Sequence, residues 1–270
     1  MSFVSTEFSY AGKKSSDLPI KVYLVQIGNT TIETPVSGSK SMEYDEVAFS
    51  DKITYKKTKM DLMQFKIIIS PLDKEWTDNL RYEVFGWLGS RTPQEFRSSD
   101  NEGKLVYGIF TNAISLKIIN KTQGYVELDF QATTPYWLTE VLESEVIDCT
   151  TASPSTPITF NVNNLSNVIH PKYDWDCFYF PKIFIDLKNN TTNFKLINTS
   201  DGNRETSFTN LTANEILFID NDLEKIETQS GALVLSKFNE NFFRLVKGNN
   251  IIQCYYPCLI QFVCQFPQFT

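Results

Sequence analysis

The residues of this chain whose chemistry is most open to metal binding or redox work are its five cysteines, Cys149, Cys177, Cys254, Cys258 and Cys264. The last three follow a C-x3-C-x5-C spacing, which is not a zinc pattern, and the single histidine, His170, lies far from them in sequence. On a strand these three share parity, so they fit as small buried hydrophobes; a metal site or a disulfide is the alternative. One histidine leaves one possible base for a nucleophilic serine or cysteine. It sits in Val168-Ile169-His170-Pro171, and no Gly-x-Ser-x-Gly elbow exists to serve it. Phosphate-cradling glycine loops and dinucleotide fingerprints are absent from the sequence too. Asp and Glu total 32, but a glycosidase pair is a spatial arrangement, and nothing selects two of them. Tyr173, Trp175 and Tyr179, with Phe178 between, could stack on sugar rings. The charges in Lys172-Tyr173-Asp174-Trp175-Asp176 favour a core or edge role instead. The inventory names no catalytic, cofactor-binding or metal-ligating residue, and the expectation is a protein that is not an enzyme and needs no cofactor.

The elements around these residues are mostly strands. A hydrophobic content of 41%, with 14% aromatic, is enough for a core in a chain of 270 residues. The net charge of −7 and the scarcity of basic runs, Lys56-Lys57-Thr58-Lys59 excepted, argue against specific nucleic-acid binding. Met1–Tyr10 lacks the charged and apolar regions of a secretory signal. No window approaches the ~18–20 apolar residues of a membrane helix, so no membrane insertion is expected. Strands are expected at 20–27 and over Met60–Ser70. A helix is expected over Asp73–Leu88, with Asp73 as N-cap, Trp76, Leu80, Val84 and Leu88 as its apolar stripe, and Gly89 as its stop. Strands follow at Lys104–Phe110, Ala113–Ile119 and Tyr125–Gln131; in the last, Glu127 and Asp129 alternate with Val126, Leu128 and Phe130. Val47–Lys59, polar with spaced Phe49, Ile53 and Tyr55, fits an extended arm or exposed hairpin.

The small, Pro-bearing run Cys149–Pro157 marks a boundary. Beyond it, strands are expected at Ile158–Val162, Lys182–Leu187, Asn193–Asn198, Glu215–Asp220, Lys225–Thr228, Ala232–Leu235, Arg244–Lys247, Ile251–Tyr256 and Leu259–Phe266, separated by Asn- and Gly-bearing turns that fit a β-sandwich. The expected organisation is mainly β. An α+β N-terminal domain (1–140), with one helix on an antiparallel sheet, precedes a linker (141–157) and a C-terminal β-sandwich (158–270).

Two stretches carry a family resemblance. Gly124–Trp137 (GYVELDFQATTPYW) is similar to the "V-x-L-x-F-x-x-x-x-P-Y/W" end of the N-terminal domain in distal tail proteins of long-tailed bacteriophages, and the helix lies where that family has one. Ala213–Asp220 and Phe243–Asn250 resemble its "G-D/E-x-L-x-I-D" strand and "W/F-x-x-L-x-x-G-x-N" run. The chain departs from the family at Ser50-Asp51-Lys52-Ile53-Thr54, where many relatives carry a "G-R-D-G" turn. The resemblance implies a homo-hexameric ring at the tail tip of the virion, made in the host cytoplasm. That ring would join the tail tube protein to tail-tip and receptor-binding proteins, with a lumen that passes DNA. The N-terminal domain would form the ring and a galectin-like sandwich would project outward. The arm, with Phe49, Ile53 and Tyr55, would supply one subunit contact. A carbohydrate-binding, lectin-like protein using Tyr173, Trp175 and Tyr179 is the alternative reading.

Overall fold

The computed structural model describes residues 7–24, 38–46, 52–72, 75–99, 103–112, 116–118, 124–162, 178–246 and 248–268. It divides into two compact units, Met1–Glu140 with Pro267–Thr270, and Val141–Phe266. The first unit carries β1 (Phe8–Tyr10), β2 (Lys13–Lys14), β3 (Ile20–Leu24), β4 (Lys40–Glu46), β5 (Ile53–Met60), β6 (Gln64–Pro71), α1 (Asp78–Leu88), β7 (Gln94–Ser98), β8 (Lys104–Phe110), β9 (Leu116–Ile118), β10 (Gly124–Ala132) and β11 (Trp137–Thr139). Its main sheet is antiparallel in the order β2-β1-β7-β8-β10-β6-β3. Along β10 the alternation expected from the sequence is realised: Val126, Leu128, Phe130 and Ala132 are buried, and Glu127, Asp129 and Gln131 are half-buried. The register sets Val126 against Ile69, Leu128 against Ile67 and Phe130 against Phe65, so the apolar side chains of β6 and β10 share one face.

The helix is shorter than expected. Its N-cap is Thr77, whose hydroxyl accepts from the Leu80 N–H at 3.2 Å, and it begins at Asp78. The expected cap, Asp73, falls outside the described residues. Leu80, Val84 and Leu88 are buried in the core of the sheet, each contributing about 1.5–3 kcal/mol of burial. Trp76 is buried just ahead of the helix, and its indole N–H donates to the Gly124 carbonyl at 3.0 Å. Trp87 donates to the Tyr10 carbonyl at 2.7 Å. Both tryptophans therefore act in packing, with their polar edges satisfied by backbone. Phe65, Phe96, Phe130 and Trp137 form a ring cluster with centroids 4.7–6.3 Å apart. Gly108 makes room for it: a Cβ there would lie 2.3 Å from the Gln131 carbonyl oxygen and 2.5 Å from the Phe130 ring.

The second unit carries β12 (Leu142–Glu143), β13 (Ile147–Asp148), β14 (Ile158–Asn161), β15 (Lys182–Leu187), β16 (Phe194–Asn198), β17 (Arg204–Phe208), β18 (Ile216–Asp220), β19 (Lys225–Thr228), β20 (Ile251–Cys254) and β21 (Cys258–Cys264). One sheet runs β12-β21-β15-β18-β19 with β13 also on β21, and the other runs β14-β20-β16-β17. Ile183, Ile185, Leu217, Ile219, Ile260 and Phe262 of the first sheet and Phe194, Leu196, Phe208 and Ile252 of the second enter one core, which makes the unit a β-sandwich. The last strand, β22 (Pro267–Gln268), pairs with β11 and belongs to the first unit.

Four expectations need correction. Residues 141–157 are not a free linker: β12 and β13 are edge pieces on β21, and Cys149 and Ala152 are buried. The Ser144 hydroxyl between those pieces accepts from the Phe262 N–H at 2.9 Å, so a serine side chain continues a ladder that composition alone makes look like loop. The strand expected over Met60–Ser70 begins only at Gln64, as β6; Met60 is the last residue of β5, and Met63 between the two is buried. Ala232–Leu235 is not a strand and leads into a 3-10 turn at Leu235–Lys237. Arg244–Val246, the described part of the strand expected over Arg244–Lys247, is not one either: it shows a single bridge, Leu245 to Tyr179, and side chains hold it in place of a ladder.

Those side chains are buried amides. Asn250 Oδ1 accepts from the Val246 N–H (2.8 Å) and from Asn198 Nδ2 (2.9 Å), while its Nδ2 donates to the Val246 carbonyl (2.8 Å) and the Gly248 carbonyl (3.2 Å). Asn198 Nδ2 also donates to the Arg244 carbonyl (3.0 Å). Asn221 accepts from the Phe243 N–H (2.7 Å) and donates to the Pro181 carbonyl (2.5 Å). The run Phe242-x-x-Leu245-x-x-Gly248-x-Asn250 thus has a physical basis: Leu245 fills the core, Gly248 sits at φ +85°, and Asn250 satisfies the backbone between them.

Candidate assembly surface

The first unit carries a two-stranded ribbon, β4 paired with β5, that forms a sheet of its own. Its base is fixed. The Gly38 N–H donates to the Pro135 carbonyl (2.7 Å), the Asp61 N–H to the Ser39 carbonyl (2.9 Å), and the Ser39 hydroxyl to Asp61 Oδ2 (2.6 Å). At Gly38 a Cβ would lie 1.7 Å from the Asp61 carbonyl oxygen, so only glycine fits. Beyond that base every described side chain of the ribbon is exposed except Met60.

Register sorts those side chains into two faces. Met42 pairs with Thr58 and Glu43 with Lys57, but Tyr44 pairs with Tyr55, which leaves Lys56 as an extra residue in a bulge. The bulge keeps Met42, Tyr44, Tyr55 and Ile53 on one side, where they are 46–57% exposed. Without it Tyr44 would face Lys56. The other side is charged, with Lys56 on Asp45 at 2.7 Å and Lys57 on Glu43 at 3.4 Å. An isolated hairpin is at best marginally stable in water. Among the described residues, nothing packs on the apolar face of this ribbon.

Of the arm residues named from the sequence, Ile53 and Tyr55 lie on this apolar face, and Phe49 falls outside the described residues. Met42 and Tyr44 were missed, although their i, i+2 alternation in Lys40–Glu46 (KSMEYDE) was there to find. The sugar-stacking set is not supported where it is described. Tyr179 is 8% exposed and packs edge-on against Phe266 at 5.4 Å, so its face is not open to a ring; Tyr173 and Trp175 fall outside the described residues, as does His170. Phe178 is exposed but already covered by the Arg244 guanidinium at 3.3 Å, itself held by Asp201 at 2.7 Å.

Elsewhere in the first unit Lys14, Arg97, Ser98 and Lys104 line a surface groove. Arg97 there is held by Glu140 and Glu95, bonds that push its pKa up and hold Glu140 below the usual carboxylate range. Among the described residues no cluster of His, Cys, Asp or Glu is arranged to hold a metal ion. No helix among them is long and apolar enough to cross a membrane.

The described residues define a class of fold: a β-rich unit with one helix and an exposed apolar ribbon, followed by a β-sandwich. Comparison gives that class a family. Residues 3–134 match the model described as "phage tail protein N-terminal domain", and residues 153–264 match "phage tail C-terminal domain". The two matches together span most of the chain, which belongs to this family of phage tail proteins. Curated proteins supply no match. Among solved structures, SPP1 Dit, described as a paradigm of hub adsorption apparatus in Gram-positive infecting phages, shares the fold with a TM-score of 0.66 at 15% identity, covering 97% of this chain and 99% of that one. Chains of the phage P2 baseplate in its activated conformation, with Ca and with Sr, give TM-scores of 0.52 and 0.53 at 12% identity, each covering 98% of this chain and 99% of theirs.

Proposed function

We propose that this tail protein is a ring-forming hub, six copies closed head to tail, that links the tail tube to the tail-tip adsorption apparatus and leaves a lumen for DNA. The observation that carries the reading is the β4–β5 ribbon, whose Met42, Tyr44, Ile53 and Tyr55 form an exposed apolar face with none of the other described residues packed on it. A heterologous contact between neighbours needs two different patches, and the ribbon supplies one. The described role of SPP1 Dit and the baseplate setting of the phage P2 chains support the hub over a free-standing protein. The net charge of −7 suits a wall that DNA passes without sticking. The expected division into a ring-forming part (1–140) and a second part (158–270) that carries adsorption contacts belongs to this proposal. The sugar-binding alternative has lost Tyr179 to the core, and no observation favours it.

The double substitution Y44S/Y55S tests the ribbon. Both side chains are solvent-exposed in the single chain, so the thermal midpoint of the isolated protein should move by less than about 2 °C. Self-association should fall by at least tenfold. Unchanged association with intact folding would remove the ribbon from the interface.

A further inference from the structure

We propose that Cys254 and Cys258 are an oxidisable pair, a disulfide site that closes across the crossing between the two sheets of the second unit, with Cys149 as a third thiol beside them. Cys254 ends β20 and Cys258 begins β21, and these strands belong to different sheets. Tyr255-Tyr256-Pro257 carries the chain from one sheet to the other, and the two thiols lie buried at either end of that crossing with Sγ atoms 3.4 Å apart. A disulfide needs about 2.05 Å, so the sulfurs have to close by only about 1.4 Å. Cys149 is placed by its N–H on the Cys258 carbonyl at 2.9 Å and is buried as well.

The surroundings assign roles to the sulfurs. Thiol hydrogen bonds from Cys149 and Cys258 hold Cys254 below the ordinary thiol range. The contact with Cys254 and burial push Cys149 up to about 12 against a lowering contact from Cys258, while contacts with Cys149 and Cys254, with burial, raise Cys258. Cys254 is therefore the first of the three to lose its proton, and the thiolate is the form that reacts. With a peroxide as oxidant, the Cys254 thiolate attacks the O–O bond, gains one oxygen as a sulfenic acid and releases hydroxide. The Cys258 thiol then attacks that sulfur; the S–S bond forms and the sulfenic oxygen leaves as water. In sum two thiols and one hydrogen peroxide give one disulfide and two waters. Cys264, six residues along β21, is pushed up to about 12 by burial and takes no part. None of this depends on the chain forming a ring.

The test uses the full chain, reduced and then treated with hydrogen peroxide, unfolded in denaturant with an alkylating agent, and read by intact mass and peptide mapping. Two of its five cysteines should escape alkylation, and the peptides bearing Cys254 and Cys258 should be linked. C149A and C264A should still form that link, which controls for the loss of any buried thiol. C254A and C258A should each leave every remaining cysteine open to alkylation. Five alkylated cysteines after peroxide treatment, or a link that includes Cys149, Cys177 or Cys264, would overturn the proposal.

Discussion

Replacing Asn250 by alanine removes the amide around which the 242–250 segment is organised. In the native protein Asn250 is 1% exposed, and its side chain is hydrogen-bonded to the Val246 N–H, the Val246 carbonyl, the Gly248 carbonyl and Asn198 Nδ2. Alanine leaves the Val246 N–H without that acceptor. Asn198 Nδ2 keeps the Arg244 carbonyl. A buried donor or acceptor left unsatisfied costs about 1–3 kcal/mol, and partial relaxation or entry of water recovers some of that for the carbonyls. The expected destabilisation is about 3 kcal/mol, of which the Val246 N–H supplies the largest share. For a unit of this size that is a drop of about 10 °C in its midpoint. The assay is differential scanning calorimetry on the full chain, because two units need not melt as one transition. One transition should move and the other should stay. N250D sharpens the argument: it retains an acceptor for Val246 but sets carboxylate oxygens against two carbonyls, so it should be no milder than alanine. A loss below about 1 kcal/mol for N250A would refute the claim that amides stand in for a ladder here.

Further expectations concern the two cores and acid. Burial alone would raise the pKa of Glu215, but hydrogen bonds from the Ser230 hydroxyl (2.8 Å) and N–H (3.1 Å) outweigh it and hold the carboxyl below the usual range. A depressed folded pKa gives stability that is fully present above the ordinary carboxylate value and is lost as pH falls through the folded one. The second unit's midpoint should therefore drop as pH falls below about 4.5, and E215Q should flatten that dependence, which a calorimetric pH series would read. G108A drives a methyl into the Gln131 carbonyl and the Phe130 ring, and should cost the first unit about 3 kcal/mol or leave it insoluble, as a urea titration would show. T77A removes the helix cap and should cost about 1 kcal/mol in the same titration.

Strands whose one face is core and whose other is solvent were legible: Lys104–Phe110, Lys182–Leu187 and Lys225–Thr228 stand where their alternation put them, and β10 differs by one residue at each end. Elements that depart from that pattern were not. Arg204–Phe208 pairs on β16 as RETSF, too polar to announce itself, because only Thr206 and Phe208 point fully inward. Residues 141–157 looked like a linker because Ser, Thr and Pro dominate, yet Ser144 completes the ladder with its own oxygen. Arg244–Lys247 had the composition of a strand, yet its described part, Arg244–Val246, is an amide-held loop, since nothing local in the sequence reveals that Asn198, Asn221 and Asn250 converge on it. The ribbon was half legible. Ile53 and Tyr55 stood out, whereas Met42 and Tyr44 were hidden among charges, and the bulge that aligns all four appears only once the strands are paired.

The most direct test of the central claim is the solution mass of the purified protein by light scattering, with negative-stain images of the same peak. The hub account predicts a species of six copies of the 31.0 kDa chain, seen face-on as a six-fold ring with an open centre. A single-chain mass at every concentration, with no rings on the grid, would contradict it.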